Sequence, residues 1–490
     1  MRFNLLIIMT IACAQITTAQ PELLWYRIYG ETIGYYEAES VINVGENGFL
    51  IVGSYFYNIF PGGYTKGFIA RTGTSGAVIW ASLYSEEQNQ SLYDCIQMDS
   101  ESYLAVGEIR SDSSVESRIW LLKINDAGEV LWSRTIGTGV NEVGRAIKPS
   151  DDGNYLIAGL CEPGDNPEGL IAKIDPEGNQ LWLQTYGGVG DQEFYDIIPA
   201  SDGGYVAVGI CDTIYNNSDD VYLVKVDEMG NELWTQIHGE NNYDFAYSIE
   251  ETPDGGYILA GTTSRETSEY YDCLLLRTDS EGNELWSQLY DHQGTLSGDF
   301  GRDVLLLDDG GFLLLGSTGG YYYNSTDILL IRTDELGDEL WMQEYDIEGT
   351  CFGNSLIAAD TGGYIVAGSC SDDGFPTASS EALLMRFSED PVSVNQEIET
   401  SIPVMIQFNI PYPNPFNPTT VFSFEMPDAS CVSLGVLDIS GRLVATLVNG
   451  WQEAGRQEVT FDGADLPSGI YIYRLTAREF EASGKMVLLK

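Results

Sequence analysis

Positive charge and histidine are scarce in this sequence. Its 490 residues contain 23 lysines and arginines against 74 aspartates and glutamates, together with two histidines, so the formal net charge is −51. Such a chain would repel phosphate backbones and anionic membrane surfaces, which makes nucleic acid and membrane lipids poor partners. No Ser/His/Asp order or His-Glu-x-x-His motif is present, so the usual signals of an enzyme are missing. We therefore expect an acidic protein that stays soluble outside the cell, and the sequence does not favour an enzyme.

Long apolar segments are missing after residue 20. One short apolar run, from Leu5 to Ala14, follows Arg2 and precedes the small residues Thr17-Thr18-Ala19. This order predicts a secretory signal peptide over residues 1–19, since the run is too short to span a bilayer. We expect no transmembrane span in the mature chain.

Cysteine follows no recognisable pattern of pairs. Once Cys13 is removed with the signal, seven cysteines remain and none forms a Cys-x-x-Cys pair. Neither a zinc site nor a disulfide framework is therefore indicated, although one disulfide in an exported protein stays open. No EF-hand loop is present. Calcium in acidic loops stays open, and the sequence assigns no metal-binding residue and no cofactor.

A repeated motif organises residues 20–388. It is clearest from Asp279 to Trp286, where a tight Asp-x-x-Gly turn leads into a strand that carries a tryptophan. Near copies recur every 50 to 55 residues, and a period of this length signals repeated supersecondary units. The tryptophans of the series are Trp25, Trp80, Trp132, Trp182, Trp234, Trp286 and Trp341.

Each repeat is predicted to hold four strands. After Trp234 the pattern marks strands at 233–237, 245–250, 257–261 and 273–278, joined by turns and loops. Seven such repeats predict an all-β fold, a seven-bladed β-propeller with four strands per blade, and a right-handed β-solenoid is the alternative. The first tryptophan strand has no preceding strands, so we expect residues 23–29 to pair with 382–387 and close the last blade.

Two further residue types recur with the repeat. A lysine or arginine stands in each fourth strand, often two residues before the turn aspartate, as in Lys225-Val226-Asp227. Because residues i and i+2 share a strand face, this spacing predicts a structural ion pair. Cys161, Cys211 and Cys370 each follow the aromatic residue of the third strand by six positions. They are predicted to be small buried residues on equivalent strands.

The Asp-x-x-Gly-x-x-Leu-Trp unit resembles the tryptophan-docking repeat of quinoprotein-type propellers. The resemblance implies that each tryptophan packs between neighbouring blades, where a large flat side chain fills the gap between twisted sheets. It covers the repeat alone, and no cofactor-binding residues carry over.

The end of the chain carries different motifs. They are Pro-Asn-Pro-Phe-Asn-Pro-Thr-Thr at 413–420, Asp438-Ile439-Ser440-Gly441-Arg442, Ser468-Gly469-Ile470-Tyr471 and a Lys-Met-Val-Leu-Leu-Lys terminus. They resemble the type A C-terminal sorting domain of type IX secretion substrates, and the alternating strands suit a small immunoglobulin-like β-sandwich. The resemblance implies the type IX secretion machinery as a partner, and secretion or anchoring at the outer surface of a Gram-negative bacterium. The predicted organisation is signal peptide 1–19, propeller 20–388, linker 389–410 and sorting domain 411–490.

Ligand binding is expected on one face of the propeller. Short repetitive turns alternate with long connections that differ in every repeat, and variable loops on a rigid scaffold are usual binding sites. The long connections are rich in tyrosines and carboxylates, which suit a sugar or a protein partner. We therefore expect a surface or secreted module that binds a glycan or a protein. A glycan-active enzyme that uses loop carboxylates and a passive adhesion scaffold are the alternatives. The candidate binding residues are Tyr55, Tyr57, Tyr215, Tyr270, Tyr271, Tyr321, Tyr322 and Tyr323.

Overall fold

The computed structural model divides the chain into two compact units, residues 1–393 and 394–490, which are described separately. Every regular element among the described residues is a β-strand. The described part holds no helix that is long and apolar enough to cross a membrane. The described residues are 20–489 without 31–33, 46–47, 58–62, 86–88, 111–115, 165, 189, 214–217, 240–242, 265–270, 293–297, 320–325, 348, 372–378, 390–406, 409–410, 412–413, 415, 427–429, 440–441, 453–454, 465 and 478–479. The predicted signal peptide and most of the predicted linker lie outside them.

The described residues of the first unit form 28 strands. In chain order they are β1 (Leu23–Tyr29), β2 (Gly34–Asn43), β3 (Phe49–Tyr57), β4 (Tyr64–Thr72), β5 (Val78–Tyr84), β6 (Asn89–Asp99), β7 (Ser102–Arg110), β8 (Ser117–Asn125), β9 (Val130–Ile136), β10 (Asn141–Pro149), β11 (Tyr155–Glu162), β12 (Glu168–Ile174), β13 (Gln180–Tyr186), β14 (Gln192–Pro199), β15 (Tyr205–Thr213), β16 (Ser218–Val226), β17 (Glu232–His238), β18 (Asp244–Glu251), β19 (Tyr257–Ser264), β20 (Tyr271–Thr278), β21 (Glu284–Tyr290), β22 (Asp299–Leu306), β23 (Phe312–Thr318), β24 (Asp327–Thr333), β25 (Glu339–Tyr345), β26 (Thr350–Ala358), β27 (Tyr364–Ser371) and β28 (Ser379–Phe387).

Four consecutive strands form each repeating sheet. Strands β6 to β25 make five separate four-stranded antiparallel sheets, each in simple sequence order. The remaining strands form one eight-stranded sheet, in which β26-β27-β28 continues into β2-β3-β4-β5. The junction in that sheet is a short parallel contact that pairs Gly34 with Ser379 and Tyr35 with Ser380. The predicted four strands per repeat are therefore present.

The N-terminal strand pairs with the last strand of the unit. In antiparallel register, Leu23 lies opposite Phe387 and Tyr29 opposite Ala382. This confirms the predicted pairing, and β1 thus completes the set formed by β26, β27 and β28.

The middle strands of each sheet are buried on both faces. All seven residues of β23 and all seven of β24 are buried, as neither strand faces solvent on any side. A strand reads as a continuous apolar run when other layers cover both faces of its sheet. One core cluster spans β23 to β28 and includes Leu315, Trp341 and Phe387. Sheets packed face to face in this way are the blades of a β-propeller.

Six of the seven tryptophans of the series touch a turn glycine of the following repeat. The turn residue Gly282 has a φ of +74°, and a Cβ there would lie 2.8 Å from the ring of Trp234 in the preceding sheet. Glycine is therefore needed both for the turn and for the approach of the ring. The same contact joins Gly76 to Trp25, Gly128 to Trp80, Gly178 to Trp132, Gly230 to Trp182 and Gly337 to Trp286.

A hydrogen bond accompanies most of these contacts. The hydroxyl of Tyr290, four residues after Trp286, donates to the carbonyl oxygen of Gly337 at 2.6 Å. His238 takes the equivalent place, with Nε2 2.9 Å from the Gly282 oxygen, so this histidine serves packing between repeats. Other tyrosines in the same role are Tyr29 on Gly76, Tyr84 on Gly128 and Tyr186 on Gly230.

Four of the recurring bases form ion pairs within their own sheets, but with other aspartates than predicted; they are Lys173, Lys225, Arg277 and Arg332. Lys173 Nζ lies 2.7 Å from Asp152, and Arg277 lies 2.5 Å from Asp254, both in the glycine-rich turn between the first two strands of the same sheet. The aspartate two residues after the base instead accepts backbone N–H groups within its own turn: Asp279 Oδ1 accepts from Glu281 and Asn283. Aspartates in such turns commonly satisfy the local backbone, which explains the difference.

Cysteines occupy buried positions of the sheets, as predicted for Cys161 and Cys211. Cys370 differs, because it forms a disulfide with Cys351 across β26 and β27. Cys95 and Cys273 are buried free thiols.

The second unit consists of two sheets around one core. A three-stranded sheet has the order β29-β30-β33 and a four-stranded sheet the order β32-β31-β34-β35. Phe422, Phe424 and Phe461 from the first sheet pack with Leu434 and Leu475 from the second. The strands are β29 (Gln407–Phe408), β30 (Thr419–Met426), β31 (Ser430–Asp438), β32 (Leu443–Gln452), β33 (Gly455–Asp462), β34 (Gly469–Ala477) and β35 (Phe480–Leu488).

Candidate functional site

The first strands of all the repeats line one axial channel. Strands β2, β6, β10, β14, β18, β22 and β26 surround a cavity of about 580 Å³. Each of these strands carries a β-bulge at the same place. Ala38 and Ser40, for example, pair with consecutive residues of β3 and leave Glu39 between them. A bulge turns its extra side chain away from the regular pleat, here into the channel. The residues at this position are Glu39, Tyr93, Arg145, Tyr195, Tyr247, Arg302 and Asn354.

The residue after each bulge ties neighbouring strands together. Asp94 accepts the backbone N–H of Cys95 in its own strand and of Ile147 in the next, at 2.8 and 2.9 Å. Asp303 does the same with Val304 and Leu356, at 2.9 and 2.7 Å. Such carboxylates are already satisfied by the protein, so they hold the channel wall in place. Asp196 repeats the arrangement, and Ser40 and Ser248 donate to Asp94 and Asp303.

Lys148 joins two of these carboxylates across the channel. Its Nζ lies 3.3 Å from Asp196 and 3.9 Å from Asp94. The charge of Asp196 is the main cause of a raised Lys148 pKa, so the lysine stays protonated. Nearby, burial raises the pKa of Glu250 to about 7, and Asp303 and Asp196 add to the effect.

Arg145 at the bulge position is also occupied by protein partners. Its Nε lies 2.6 Å from Glu193 Oε1, and its guanidinium lies 4.6 Å from the ring centre of Tyr93. The Tyr195 hydroxyl donates to the other oxygen of Glu193 at 3.1 Å. This side of the channel is therefore a closed network.

Glu39 and Arg302 differ, because their polar ends are open. The Arg302 guanidinium lies 4.3 Å from the ring centre of Tyr247. The side chains of Arg302 and Glu39 make no hydrogen bond and no ion pair to any described residue. The pKa of Glu39 is raised to about 7, mainly because the channel wall buries the carboxyl group and secondly because Glu37 lies nearby, while Arg302 and Arg145 oppose the shift. The channel thus presents an open carboxyl and an open guanidinium.

A second cavity, of about 840 Å³, forms a mouth to this channel. It shares Glu39, Tyr93, Arg302 and Asn354 with the channel and is reached at the start of the first strands, where the long connections enter. The Glu37 carboxyl group, aromatic rings and hydroxyl groups line the rest of it. The aromatic and hydroxyl-bearing residues are Tyr35, Phe56 and Phe352, together with Ser54, Thr65, Ser91, Thr350, Ser369, Ser371 and Ser380. The hydroxyl of Ser54 is buried and has no hydrogen-bond partner among the described residues.

Three of the predicted binding tyrosines can be placed. Tyr55 is buried with its ring 4.6 Å from that of Tyr36, and half-buried Tyr57 lies 5.3 Å from Tyr64. Half-buried Tyr271 lies 5.3 Å from Phe300. None of the three lines the channel or its mouth. Tyr215, Tyr270, Tyr321, Tyr322 and Tyr323 lie outside the described residues, and a binding role for the group stays a prediction.

The geometry defines a class: a β-propeller of four-stranded blades with a polar axial channel, followed by a separate two-sheet unit. Residues 411–489 of that second unit match the family described as "Secretion system C-terminal sorting domain". This sorting domain directs the chain to the type IX secretion system, and with it to secretion and cell-surface attachment in Bacteroidetes.

Comparison with other proteins adds fold relatives. No curated protein matches the chain. The β-propeller domain of the Trilobed protease from Pyrococcus furiosus is 12% identical with a TM-score of 0.42, over 73% of this chain and 94% of that one. The periplasmic gluconolactonase of Pseudomonas aeruginosa is 10% identical with a TM-score of 0.43, over 87% and 99%. An endo-arabinase from Bacteroides thetaiotaomicron is 11% identical with a TM-score of 0.34, over 49% and 92%. The function is therefore inferred from the channel itself.

Proposed function

We propose that this chain is an exported seven-bladed β-propeller that binds a glycan at the mouth of its axial channel. The seven first strands around one channel support the blade count, with the eight-stranded sheet counted as two blades. The proposed organisation is signal peptide 1–19, propeller 20–388, linker 389–410 and an immunoglobulin-like sorting domain 411–490.

The open pair Glu39 and Arg302 is the observation that carries the proposal. Polar side chains that have no hydrogen-bond partner within the protein, and that line a cavity of ligand size, are available to bind a ligand. A carboxyl and a guanidinium hydrogen-bond well to sugar hydroxyls, and the nearby rings of Tyr35 and Phe56 offer apolar faces for the C–H side of a sugar. Phe56 is 41% exposed, so its ring is accessible. The tyrosines of the long connections would extend this surface.

A broad glycan array probed with the full chain tests the proposal. Arg302→Ala removes the open guanidinium, and loss of a charged hydrogen bond worth about 1.5–3 kcal/mol should weaken binding roughly 10- to 150-fold. The matched control is Arg110→Ala, which removes an arginine at the end of β7 that lines neither cavity. A hit that Arg302→Ala and Arg110→Ala weaken equally would place binding elsewhere. An empty array would favour a protein partner or a passive surface role.

Glu39 supports a second candidate, a glycan-active enzyme. A carboxyl with a pKa of about 7 is partly protonated at neutral pH and can donate a proton to a leaving oxygen. If the chain cleaves a glycan that it binds, Glu39→Gln should lower turnover at least about 100-fold while binding persists. Binding without turnover by the unaltered chain would leave the protein a binding module.

A further inference from the structure

Three carboxylates meet where two adjacent sheets come together. Asp272 near the start of β20, Asp291 after β21 and Asp299 at the start of β22 each place an oxygen within 4.8 Å of the others. Asp272 and Asp299 are buried, whereas Asp291 is exposed. The group therefore has a closed side within the protein and an open side toward solvent.

One buried oxygen of this group lacks a well-oriented hydrogen-bond donor. Asp299 is fully buried, and its Oδ1 has no hydrogen-bond partner among the described residues. Thr318 lies opposite Asp299 in the register of β22 and β23, and its buried hydroxyl interacts with the Asp299 carboxylate. Leaving a buried polar atom unpaired is costly, so such atoms point to a missing ligand. The other Asp299 oxygen accepts the backbone N–H of His292 at 2.7 Å.

We propose that Asp272, Asp291 and Asp299 bind a calcium ion between these two sheets, with the Thr318 hydroxyl beside the site. Calcium takes oxygen ligands at about 2.3–2.6 Å, so ligands on opposite sides of the ion lie up to about 5 Å apart. The carboxylate oxygens all lie within 4.8 Å of one another, which fits this range. Water reaching exposed Asp291 would complete the six to eight ligands that calcium prefers. The ion would offset the repulsion among three clustered carboxylates and cross-link neighbouring blades.

The preceding repeat supplies a natural control. There Asp220 corresponds to Asp272, since each stands at the same distance before the base of its strand. Asp244 corresponds to Asp299 by its distance from the bulge, and Gly239 corresponds to Asp291 by its distance from the tryptophan. A Cβ at Gly239 would lie 2.3 Å from Asp220 Oδ1 and 2.8 Å from Asp244 Oδ2. Among the residues that the structure describes there, that junction therefore has two carboxylates, and a glycine stands where Asp291 supplies the third. It should bind calcium far more weakly.

The test is calcium binding by the full chain after removal of metal with a chelator. Titration calorimetry with calcium alone should show a saturable site, accompanied by a rise in the melting temperature. Asp299→Asn should weaken this site at least tenfold and abolish the rise, while Asp244→Asn leaves both unchanged. Asp291→Asn, at an exposed position that folding tolerates, should weaken calcium binding in the same direction.

Three results would overturn the proposal. One is no saturable binding up to about 10 mM calcium, beyond the weak range of extracellular calcium sites. Another is binding that Asp299→Asn and Asp291→Asn both leave unchanged, which would assign the ion to a different part of the chain. The third is an equal loss in Asp244→Asn, which would trace the effect to general charge.

Discussion

Replacing Trp341 with alanine tests whether the tryptophan contacts hold the blades together. Trp341 is 4% exposed and belongs to the core cluster that spans β23 to β28. A buried aromatic side chain of this kind removes about 200 Å² from water, worth about 5 kcal/mol at 25 cal/mol per Å². Residual burial in the unfolded chain reduces this figure by about 10–40%. We therefore expect Trp341→Ala to lower the free energy of unfolding by about 3–4.5 kcal/mol, within the usual range for such truncations.

Urea unfolding of the full chain, followed by far-UV circular dichroism, provides the measurement. Leu340→Ala is the matched control, because Leu340 precedes Trp341 in β25, points to the opposite face and is 39% exposed. It should cost under about 1 kcal/mol. Trp451→Ala, in the second unit at 67% exposure, controls for loss of a tryptophan as such. If Trp341→Ala costs no more than Leu340→Ala, the contact between repeats does not supply the stability assigned to it.

Three further predictions concern single positions. Gly282→Ala meets both a φ of +74° and the Trp234 ring, whereas Gly255→Ala meets a φ of +81° and open space. In both variants the free energy of unfolding should fall by about 1 kcal/mol because of backbone strain. Any larger fall in Gly282→Ala measures the contact with the ring. Equal urea midpoints for the two variants would show that the ring moves aside. Cys351→Ser should lower stability by about 3 kcal/mol, the chain-entropy value for a loop of this length, whose ends are 19 residues apart. A urea midpoint equal to that of the oxidised unaltered chain would contradict this, whereas the reduced unaltered chain should unfold at about the same midpoint as the variant. Because folding raises the pKa of Glu39 from 4.5 to about 7, its contribution to stability is present below pH 4.5 and lost as pH rises through 7. Glu39→Gln should therefore have a higher melting temperature than the unaltered chain at pH 8 and the same melting temperature at pH 4. An equal difference in melting temperature at both pH values would refute the raised pKa of Glu39.

The repeat could be predicted from the sequence because its packing demands the same residues each time. A tryptophan must meet a glycine of the following turn, and Gly282 satisfies the ring of Trp234 and the turn conformation together. Tryptophan and glycine therefore recur at a constant spacing, which makes the period of the repeat visible in the sequence. The pairing of β1 with β28 followed from an unmatched strand at each end of the repeats. The tyrosine four residues after the tryptophan follows the same period, because its hydroxyl bonds to the carbonyl oxygen of the turn glycine, as Tyr290 does to Gly337.

The channel could not be predicted because it depends on a bulge. Alternation predicts a regular strand over 245–250, and in a regular strand Tyr247 has no special direction. The bulge between Ala246 and Ser248 changes that direction, and hydrophobic pattern alone does not reveal it. Aligned repeats offer a signal, since Ala or Gly precedes the bulge in five of them, as at Gly301 and Gly353. The spacing of the bases likewise predicted the wrong aspartate as the ion-pair partner. For Lys173 and Arg277, the observed aspartate lies in a different turn of the same sheet.

The bulge residue varies from repeat to repeat, whereas the residue after it is restricted to a few small or acidic types. The residue after the bulge is Ser, Asp or Ala in every repeat, because it must fit against the neighbouring strand and usually bonds to it. The bulge residue points into the channel and is free of that requirement, so it ranges from glutamate to arginine to tyrosine. Arg302, Asn354 and Glu39 stand on successive first strands, and the Asn354 amide donates to the Ala38 carbonyl at 3.0 Å. The open charges therefore fall in one sector of an otherwise satisfied ring. The mouth cavity shares Glu39, Arg302 and Asn354 with the channel, so it opens at the same sector, and this is why the proposed ligand is placed on that side of the channel.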